Sequence, residues 1–292
     1  MMRPVTLAGG VLAALLMNCA VGGCARRPPP PAPPSEPIET IVERINRHNS
    51  ALPTLYATTY FEGDLVDPDT GQRTFVNTEG DLFFRPPREL LMRGRKPFGE
   101  VFEMGSTTDR YWLTVFVDRD TQWWGWHRNA AVPGARRMPI RPDMIGEVLG
   151  IGLIDPDLLK VPFPTMQFNN DLSVYMLRWN ARLPNRWFVE KEIWYDARTL
   201  LPLTVLLLDT NGRVVLRAHI RAHQPVEVPS LPRDQWPRVG TRFDLYMPET
   251  GSRMVLQLRS VALRSRGGHP NDDTFIFPEQ PGVSRRIQID ED

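Results

Sequence analysis

The segment from Arg213 to His223 alternates between apolar and polar side chains. One side carries Val214, Leu216, Ala218, Ile220 and Ala222, and the other carries Arg213, Arg217, His219, Arg221 and His223. This period of two is typical of a β-strand that packs one face on a core and exposes the other to water. Two more strands are predicted just before it, at residues 187–195 and 202–208, with short turns between them. Together the three strands predict a meander within a large antiparallel sheet.

Apolar residues recur at helical spacing in two places. The first predicts a helix over residues 37–51, with Pro37 suited to its first turn and Pro53 ending it. The second predicts a helix over residues 142–149, which begins at a proline and stops at Gly150.

Strand-like segments fill most of the remaining chain. They cover residues 54–66, 73–84, 90–95, 101–104, 111–117, 122–127, 166–179, 241–246 and 254–263. Residues 274–281 and 283–289 form either a last edge strand or a loosely held tail. Because no repeat and no second linker interrupts this pattern, one domain is predicted over residues 37–290.

The first 23 residues have the features of a signal peptide, with Arg3 before an apolar run that is short for a membrane span. An aliphatic residue and two glycines precede Cys24, which resembles the lipobox of bacterial lipoproteins, whose cysteine is lipidated. Cys19 fits that pattern less well, and an ordinary secretory signal is the other alternative. With Cys24 lipidated and Cys19 removed with the signal peptide, no disulfide can form.

A proline-rich tract at residues 24–36 follows and predicts a stiff polyproline II spacer. Such a spacer would hold a folded domain clear of the membrane in which the lipid chains on Cys24 are anchored. By resemblance to bacterial lipoproteins, Ala25 lacks the aspartate associated with retention at the inner membrane. The expected location is therefore the periplasmic face of the outer membrane, with a lipid anchor.

Composition and motifs argue against several functional classes. The net charge of +1 argues against nucleic acid as a partner, since nucleic-acid-binding domains usually have a strongly basic face. His219 and His223 would lie about 13 Å apart on a strand, too far to share one metal ion. Glu190 and Glu192 are expected on one wet strand face, with Lys191 on the other. No nucleophile–base pair is evident, so we expect no catalytic residue, no metal and no cofactor.

Several segments together resemble the LolA/LolB family of lipoprotein carriers and acceptors. They are the N-terminal helix, the helix at residues 142–150, the strand and turn at 194–202, the turn at 209–212 and the ending at 275–283. The resemblance covers nearly all of the chain after the spacer, although most of these segments are turns. It implies a mainly β fold: an incomplete antiparallel β-barrel, or half-barrel, with two short helices covering a concave face and an apolar cavity for acyl chains.

The implied cavity is expected to be lined by inward-facing apolar side chains. The predicted set is Trp112, Phe116, Trp124, Ile145, Leu149, Val214 and Leu216. The same residues would also fill an ordinary core, and the sequence leaves both possibilities open. The cluster of Trp123, Trp124 and Trp126 is interpreted as packing, with a carbohydrate or peptide platform as the alternative.

One hairpin favours the membrane-anchored acceptor over the soluble carrier. Lys96, Pro97, Phe98 and Gly99 resemble the acceptor's hairpin, whose protruding apolar residue helps to deliver lipoproteins into the membrane. The alternative is a Phe98 ring folded back under its own hairpin.

The leading hypothesis is a non-enzymatic, monomeric lipoprotein that binds acyl chains or lipoproteins for sorting and insertion at the outer membrane. Its expected partners are the membrane, through the N-terminal lipid, and a soluble periplasmic carrier. The alternative is a non-catalytic structural or stress-sensing envelope module that binds a protein partner on the same scaffold.

Overall fold

A computed structural model describes residues 35–66, 70–117, 120–130, 138–279 and 282–291. These residues form helix α1 at Ile38–Asn49, helix α2 at Pro142–Val148 and one sheet of 14 strands. The strands are β1 Leu55–Val66, β2 Arg73–Arg85, β3 Glu89–Lys96, β4 Gly99–Ser106, β5 Arg110–Val115, β6 Thr121–Trp126, β7 Phe163–Asn169, β8 Val174–Leu183, β9 Arg186–Asp196, β10 Pro202–Leu208, β11 Val214–Pro225, β12 Arg238–Met247, β13 Ser252–Ala262 and β14 Arg285–Gln288. The predicted signal peptide, Cys24 and most of the predicted spacer lie outside the described residues.

The strands are neighbours in the order β14-β6-β5-β4-β3-β2-β1-β13-β12-β11-β10-β9-β8-β7. Two meanders, β1 to β6 and β7 to β13, therefore meet where β1 pairs with β13. Every pair is antiparallel except β14 and β6, which run parallel. Among the described strands the sheet begins at β14 and ends at β7 without closing into a barrel. The predicted incomplete antiparallel barrel is confirmed.

Helix α2 shows how strongly the sheet is curved. It packs against β3, β4 and β5 and also against β10, although five strands separate β3 from β10 in the sheet. In a flat sheet these two strands would be about 29 Å apart, at about 4.8 Å per strand. An α-helix is only about 10–12 Å wide. The sheet must therefore bend around α2, which lies on its concave side.

Both helices contribute to one large hydrophobic core on this concave side. The buried residues of α1 include Ile41, Val42 and Ile45, and those of α2 include Ile145 and Val148. Burying each such side chain stabilises the fold by about 1.5–3 kcal/mol. The predicted helices are confirmed, and their ends agree within two residues. Neither helix of the described chain has the length and apolar character needed to span a membrane.

A second, smaller cluster lies on the opposite, convex face. Trp112 points away from its neighbours Tyr111 and Leu113, which belong to the main core, and packs with Phe275 and Phe277. The chain end thus covers the convex face before it returns as β14 at the edge of the sheet. The sequence leaves open whether residues 283–289 form an edge strand or a loosely held tail. In the structure they contain the edge strand β14.

The prediction of one strand over residues 166–179 is wrong. This region is a hairpin of β7 and β8, reversed at residues 170–173. The Asn169 side chain accepts a hydrogen bond from the Leu172 amide at 3.0 Å, and Ser173 adopts a φ of 52°. The Asn-Asn-Asp run at 169–171 is a turn signal, which the strand prediction did not take into account.

Strand β11 keeps the predicted alternation only in its middle. Leu216, Ala218 and Ile220 are buried, but Ala222 is exposed. The pairing of β11 with β12 slips on both sides of Ala222. The prediction that Ala222 faces the core is wrong because a β-bulge interrupts the period of two.

Candidate functional site

A cleft of 360 Å³ opens between α2 and strands β9 to β12. Its apolar walls are formed by Met138, Met144, Phe188, Leu207, Leu208, Val215 and Met247. Charged side chains also line the cleft, among them Arg141, Glu190 and Lys191. The volume lies within the range of about 300–1,000 Å³ that is usual for small-molecule sites.

A β-bulge places Val215 in the wall of the cleft. Along the β10–β11 pair, Leu207 is opposite Leu216 and Leu208 is opposite Val214. Val215 is therefore the extra residue of a bulge, and it lines the cleft, whereas Val214 does not. The predicted cavity residue Val214 thus lies next to the lining of this cleft and not in it, because a bulge breaks the alternation on which the prediction depends.

A second bulge places Glu190 in the same cleft. The pairing of β9 with β8 slips at Glu190, so that Glu190 and Lys191 both line the cleft. Glu192 lies outside the cleft, where its carboxylate accepts hydrogen bonds from Arg178 and Trp194. The expectation that Glu190 and Glu192 share a face opposite Lys191 is therefore wrong, and the cause is again a bulge.

Two ion pairs hold α2 beside the cleft. Arg141 binds Asp143 in the first turn of α2, with Nη2 and Oδ2 2.6 Å apart, and donates a hydrogen bond to the Ala130 carbonyl oxygen at 2.8 Å. Lys191 on β9 reaches Glu147 on α2, with Nζ and Oε2 2.6 Å apart. The first pair fixes the start of the helix, and the second joins the helix to the sheet.

The Arg141–Asp143 pair is charged at neutral pH. Burial acts to raise the pKa of the Asp143 carboxyl, but the adjacent Arg141 guanidinium, together with His127 and a backbone hydrogen bond, holds this pKa below its ordinary value. An ionised carboxylate in this position depends on its cation, because an unpaired buried charge is costly.

Three of the predicted cavity residues belong to the main core. Ile145, Leu149 and Leu216 are buried there and do not line the cleft. They support the helix and the strand from which the cleft is built. The predicted Phe116 follows β5, is half-buried, and lies outside the cleft.

The predicted cavity residues Trp112 and Trp124 face away from the cleft. They are opposite each other on β5 and β6 and pack on Phe277, with ring centroids 5.5 and 5.4 Å away. The structure places them in a second apolar environment, which the C-terminal segment creates on the convex face. Trp126 stacks on the Arg110 guanidinium at 4.4 Å, which favours the packing interpretation of this tryptophan cluster.

A smaller apolar pocket of 120 Å³ lies beside the hairpin that joins β3 and β4. Phe98, at the tip of this hairpin, is 73% exposed, and Phe75 on the same pocket is 66% exposed. The Phe98 ring therefore protrudes and does not fold back under its hairpin. Gly99 follows it with a φ of 141°, a conformation that L side chains rarely adopt.

The structure also brings a serine and a histidine together, which the sequence did not suggest. Ser106 Oγ lies 3.0 Å from His127 Nε2, but Ser106 is fully buried and lines neither pocket. We therefore interpret the contact between Ser106 and His127 as part of the packing of the fold and not as a catalytic pair. His219 and His223 bond to different neighbours, and no group of three potential metal ligands occurs within the described part of the chain.

Comparison with known proteins finds similar three-dimensional structures but no similar sequences. No family model and no curated sequence matches the chain. A domain from Vibrio parahaemolyticus described as an outer membrane lipoprotein-sorting protein domain aligns with a TM-score of 0.50 and 11% identity, over 81% of this chain and 95% of its own. A LolA superfamily protein from Nitrosomonas europaea aligns with a TM-score of 0.48 and 12% identity, over 83% and 99%. At these identities the likeness concerns the fold alone, and the domain from Vibrio parahaemolyticus shares it at a TM-score of 0.50.

Proposed function

We propose that this LolA-like half-barrel binds the acyl chains of lipids or lipoproteins in the cleft between α2 and strands β9 to β12. The cleft itself carries the proposal, because it opens an apolar space on the concave side next to a fully packed core. Each methylene group that leaves water for such a space contributes about 0.8 kcal/mol. The mixture of apolar and charged side chains in its lining suits a ligand with one apolar and one polar part.

The ion pairs of α2 would prepare the cleft for an acyl chain. The Arg141–Asp143 pair fixes the start of α2 and the Lys191–Glu147 pair joins α2 to β9, so that the apolar walls are in place before a ligand arrives. A preformed site loses less free energy to ordering on binding. The protein then acts as a binder and needs no catalytic group.

Replacing Val215 with tryptophan is expected to weaken the binding of a fluorescent acyl probe by about ten-fold. The larger side chain would displace roughly two methylene groups, and about 1.4 kcal/mol corresponds to a factor of ten. The control is Leu159→Trp at a residue that is 87% exposed and outside the cleft. Equal affinities for wild type and Val215→Trp would contradict the proposed site.

We propose a second surface for contact with the membrane, formed by Pro97, Phe98 and Gly99 at the hairpin tip. Its exposed ring stands at the mouth of an apolar pocket, next to the exposed ring of Phe75. A phenylalanine that enters the membrane interface would transfer its apolar surface out of water, and a charge at the same place would oppose this.

Phe98→Glu is therefore expected to reduce binding to phospholipid vesicles by ten-fold or more, since burying a phenylalanine side chain contributes about 1.5–3 kcal/mol. Vesicle co-sedimentation would be measured in a Cys24→Ser background, so that the lipid anchor does not mask the effect. Leu172→Glu, at a 56% exposed residue in the turn between β7 and β8, is the matched control. If both variants bind as the parent does, the hairpin has no such role.

The proposed sorting role at the outer membrane also needs the anchor. Lipidation of Cys24, followed by the spacer at residues 24–36, would keep the cleft near the periplasmic face of that membrane. Cys24→Ser is expected to move the protein from the membrane fraction to the soluble periplasmic fraction. Intact-protein mass spectrometry would show the loss of the acyl mass, and a Cys24→Ser protein that stays membrane-bound would count against the anchor.

A further inference from the structure

Glu190 is a charged residue at a bulge in β9. The bulge in β9 directs it into the cleft, next to Phe188 and opposite α2. Its side chain is half-buried, and among the described residues it makes no hydrogen bond and no ion pair. β-Bulges are over-represented next to functional sites, where they re-aim a side chain.

Glu190 differs from the other described carboxylates of the cleft in its bonding partners. Five carboxylates and two cations line it among the described residues. The cations, Arg141 and Lys191, are each bonded to a carboxylate of α2, and the two carboxylates in the turns at the rim are engaged as well. Glu190 is the fifth carboxylate and lacks a bonded cation within this set.

The surroundings of Glu190 favour the arrival of a positive charge. Burial raises the pKa of its carboxyl above the ordinary value, and Glu147 adds to the rise while Lys191 opposes it. A half-buried carboxylate without a partner is destabilised, and a cation that binds beside it removes that penalty. Met144, Phe188 and Val215 supply an apolar surface in the same cleft.

We propose that Glu190 receives the primary ammonium group of a lipid whose chain lies along Met144, Phe188 and Val215. This inference rests on the proposed acyl-chain binding and adds a preference for the head group. The ammonium would donate hydrogen bonds to the Glu190 carboxylate, and charge-assisted bonds of this kind are the stronger ones in proteins. An anionic head group at the same place would be repelled.

The test compares dodecylammonium, dodecanol and dodecanoate as competitors of an apolar fluorescent probe on the full-length Cys24→Ser protein. Dodecylammonium is expected to compete about ten-fold more strongly than dodecanol, as one hydrogen bond to a charged group would provide, and dodecanoate more weakly. Glu190→Gln should reduce the ratio of the dodecylammonium affinity to the dodecanol affinity from about ten-fold to about one. Glu227→Gln, an exposed carboxylate outside the cleft, should retain the preference.

The outcomes separate this inference from the proposed function. If none of the three amphiphiles displaces the probe, acyl-chain binding itself fails, and the inference fails with it. Equal competition by all three, or an ammonium preference that survives Glu190→Gln, would overturn the inference alone. A wild-type preference for dodecanoate would also overturn it, because a cation of the chain would then already neutralise Glu190.

Discussion

Replacing Phe277 with alanine is expected to lower the free energy of unfolding by about 3–5 kcal/mol, the range for such a change in a packed core. The side chain is 8% exposed and joins Trp112 and Trp124 across the convex face. The guanidinium groups of Arg110 and Arg286 lie 5.0 and 5.2 Å from its ring centroid. Removing the ring therefore leaves a cavity under the segment that leads to β14. Urea denaturation of the purified protein measures the loss.

The neighbouring Ile276 provides the control for this prediction. It is 62% exposed, and Ile276→Ala should change the free energy of unfolding by no more than about 0.5 kcal/mol. Similar losses for the two variants would mean that the C-terminal segment is not held by the convex cluster.

Arg141→Met is expected to lower the free energy of unfolding by about 3 kcal/mol at neutral pH. This is the lower end of the range for breaking a buried pair, because Arg141 and Asp143 keep 14% and 21% of their side chains exposed. The variant leaves the Asp143 carboxylate without its cation and also removes the hydrogen bond to Ala130. Chemical denaturation at several pH values measures the effect.

The pH dependence of this loss has a definite sign. In the wild type the pKa of Asp143 is lower in the folded than in the unfolded protein, so its stabilising contribution is present at neutral pH and is lost as the pH falls through the folded-state value. Without Arg141, burial is the largest remaining influence on the pKa of Asp143 and favours protonation. The difference between Arg141→Met and wild type should therefore shrink below about pH 4.

An exposed ion pair provides the control for Arg141. Arg47 and Glu43 are 2.6 Å apart on α1, with 72% and 70% of their side chains exposed. Arg47→Met should cost no more than about 0.5 kcal/mol at any pH. A loss of that size for Arg141→Met as well would contradict a structural role of the buried pair.

The sequence pattern predicts the fold because it repeats over many strands. Alternation and turn residues identify most of the sheet, and two apolar stripes identify the helices. An error in one segment, such as the missed turn at residues 170–173, does not change the fold class, since the neighbouring strands still pair in a meander.

The candidate site is harder to predict because it depends on breaks in that pattern. Val215 and Glu190 enter the cleft through bulges, and a bulge depends on how two strands pair. Period-two reasoning therefore selects Val214 and pairs Glu190 with Glu192. The sequence shows that residue 190 is a glutamate, but it does not show that a bulge places this residue in the cleft.

The cluster on the convex face shows a second reason why side-chain positions are hard to predict from the sequence. An apolar residue on a strand such as Trp112 is expected to face the single core, and nothing in its own segment indicates another. The covering residues Phe275 and Phe277 come from the far end of the chain. Trp112 and Trp124 could be placed correctly only by knowing that this segment crosses the convex face.

The most direct test of acyl binding in the cleft is mass spectrometry of the lipids that are extracted from the Cys24→Ser protein after purification. Because this variant lacks its own lipid anchor, any acyl chain found must be a non-covalent ligand. The account predicts a stoichiometric amount of acyl-chain lipid with the Cys24→Ser protein and a clear reduction when Val215→Trp is added. Recovery of a folded protein without lipid, or equal lipid in both variants, would contradict it.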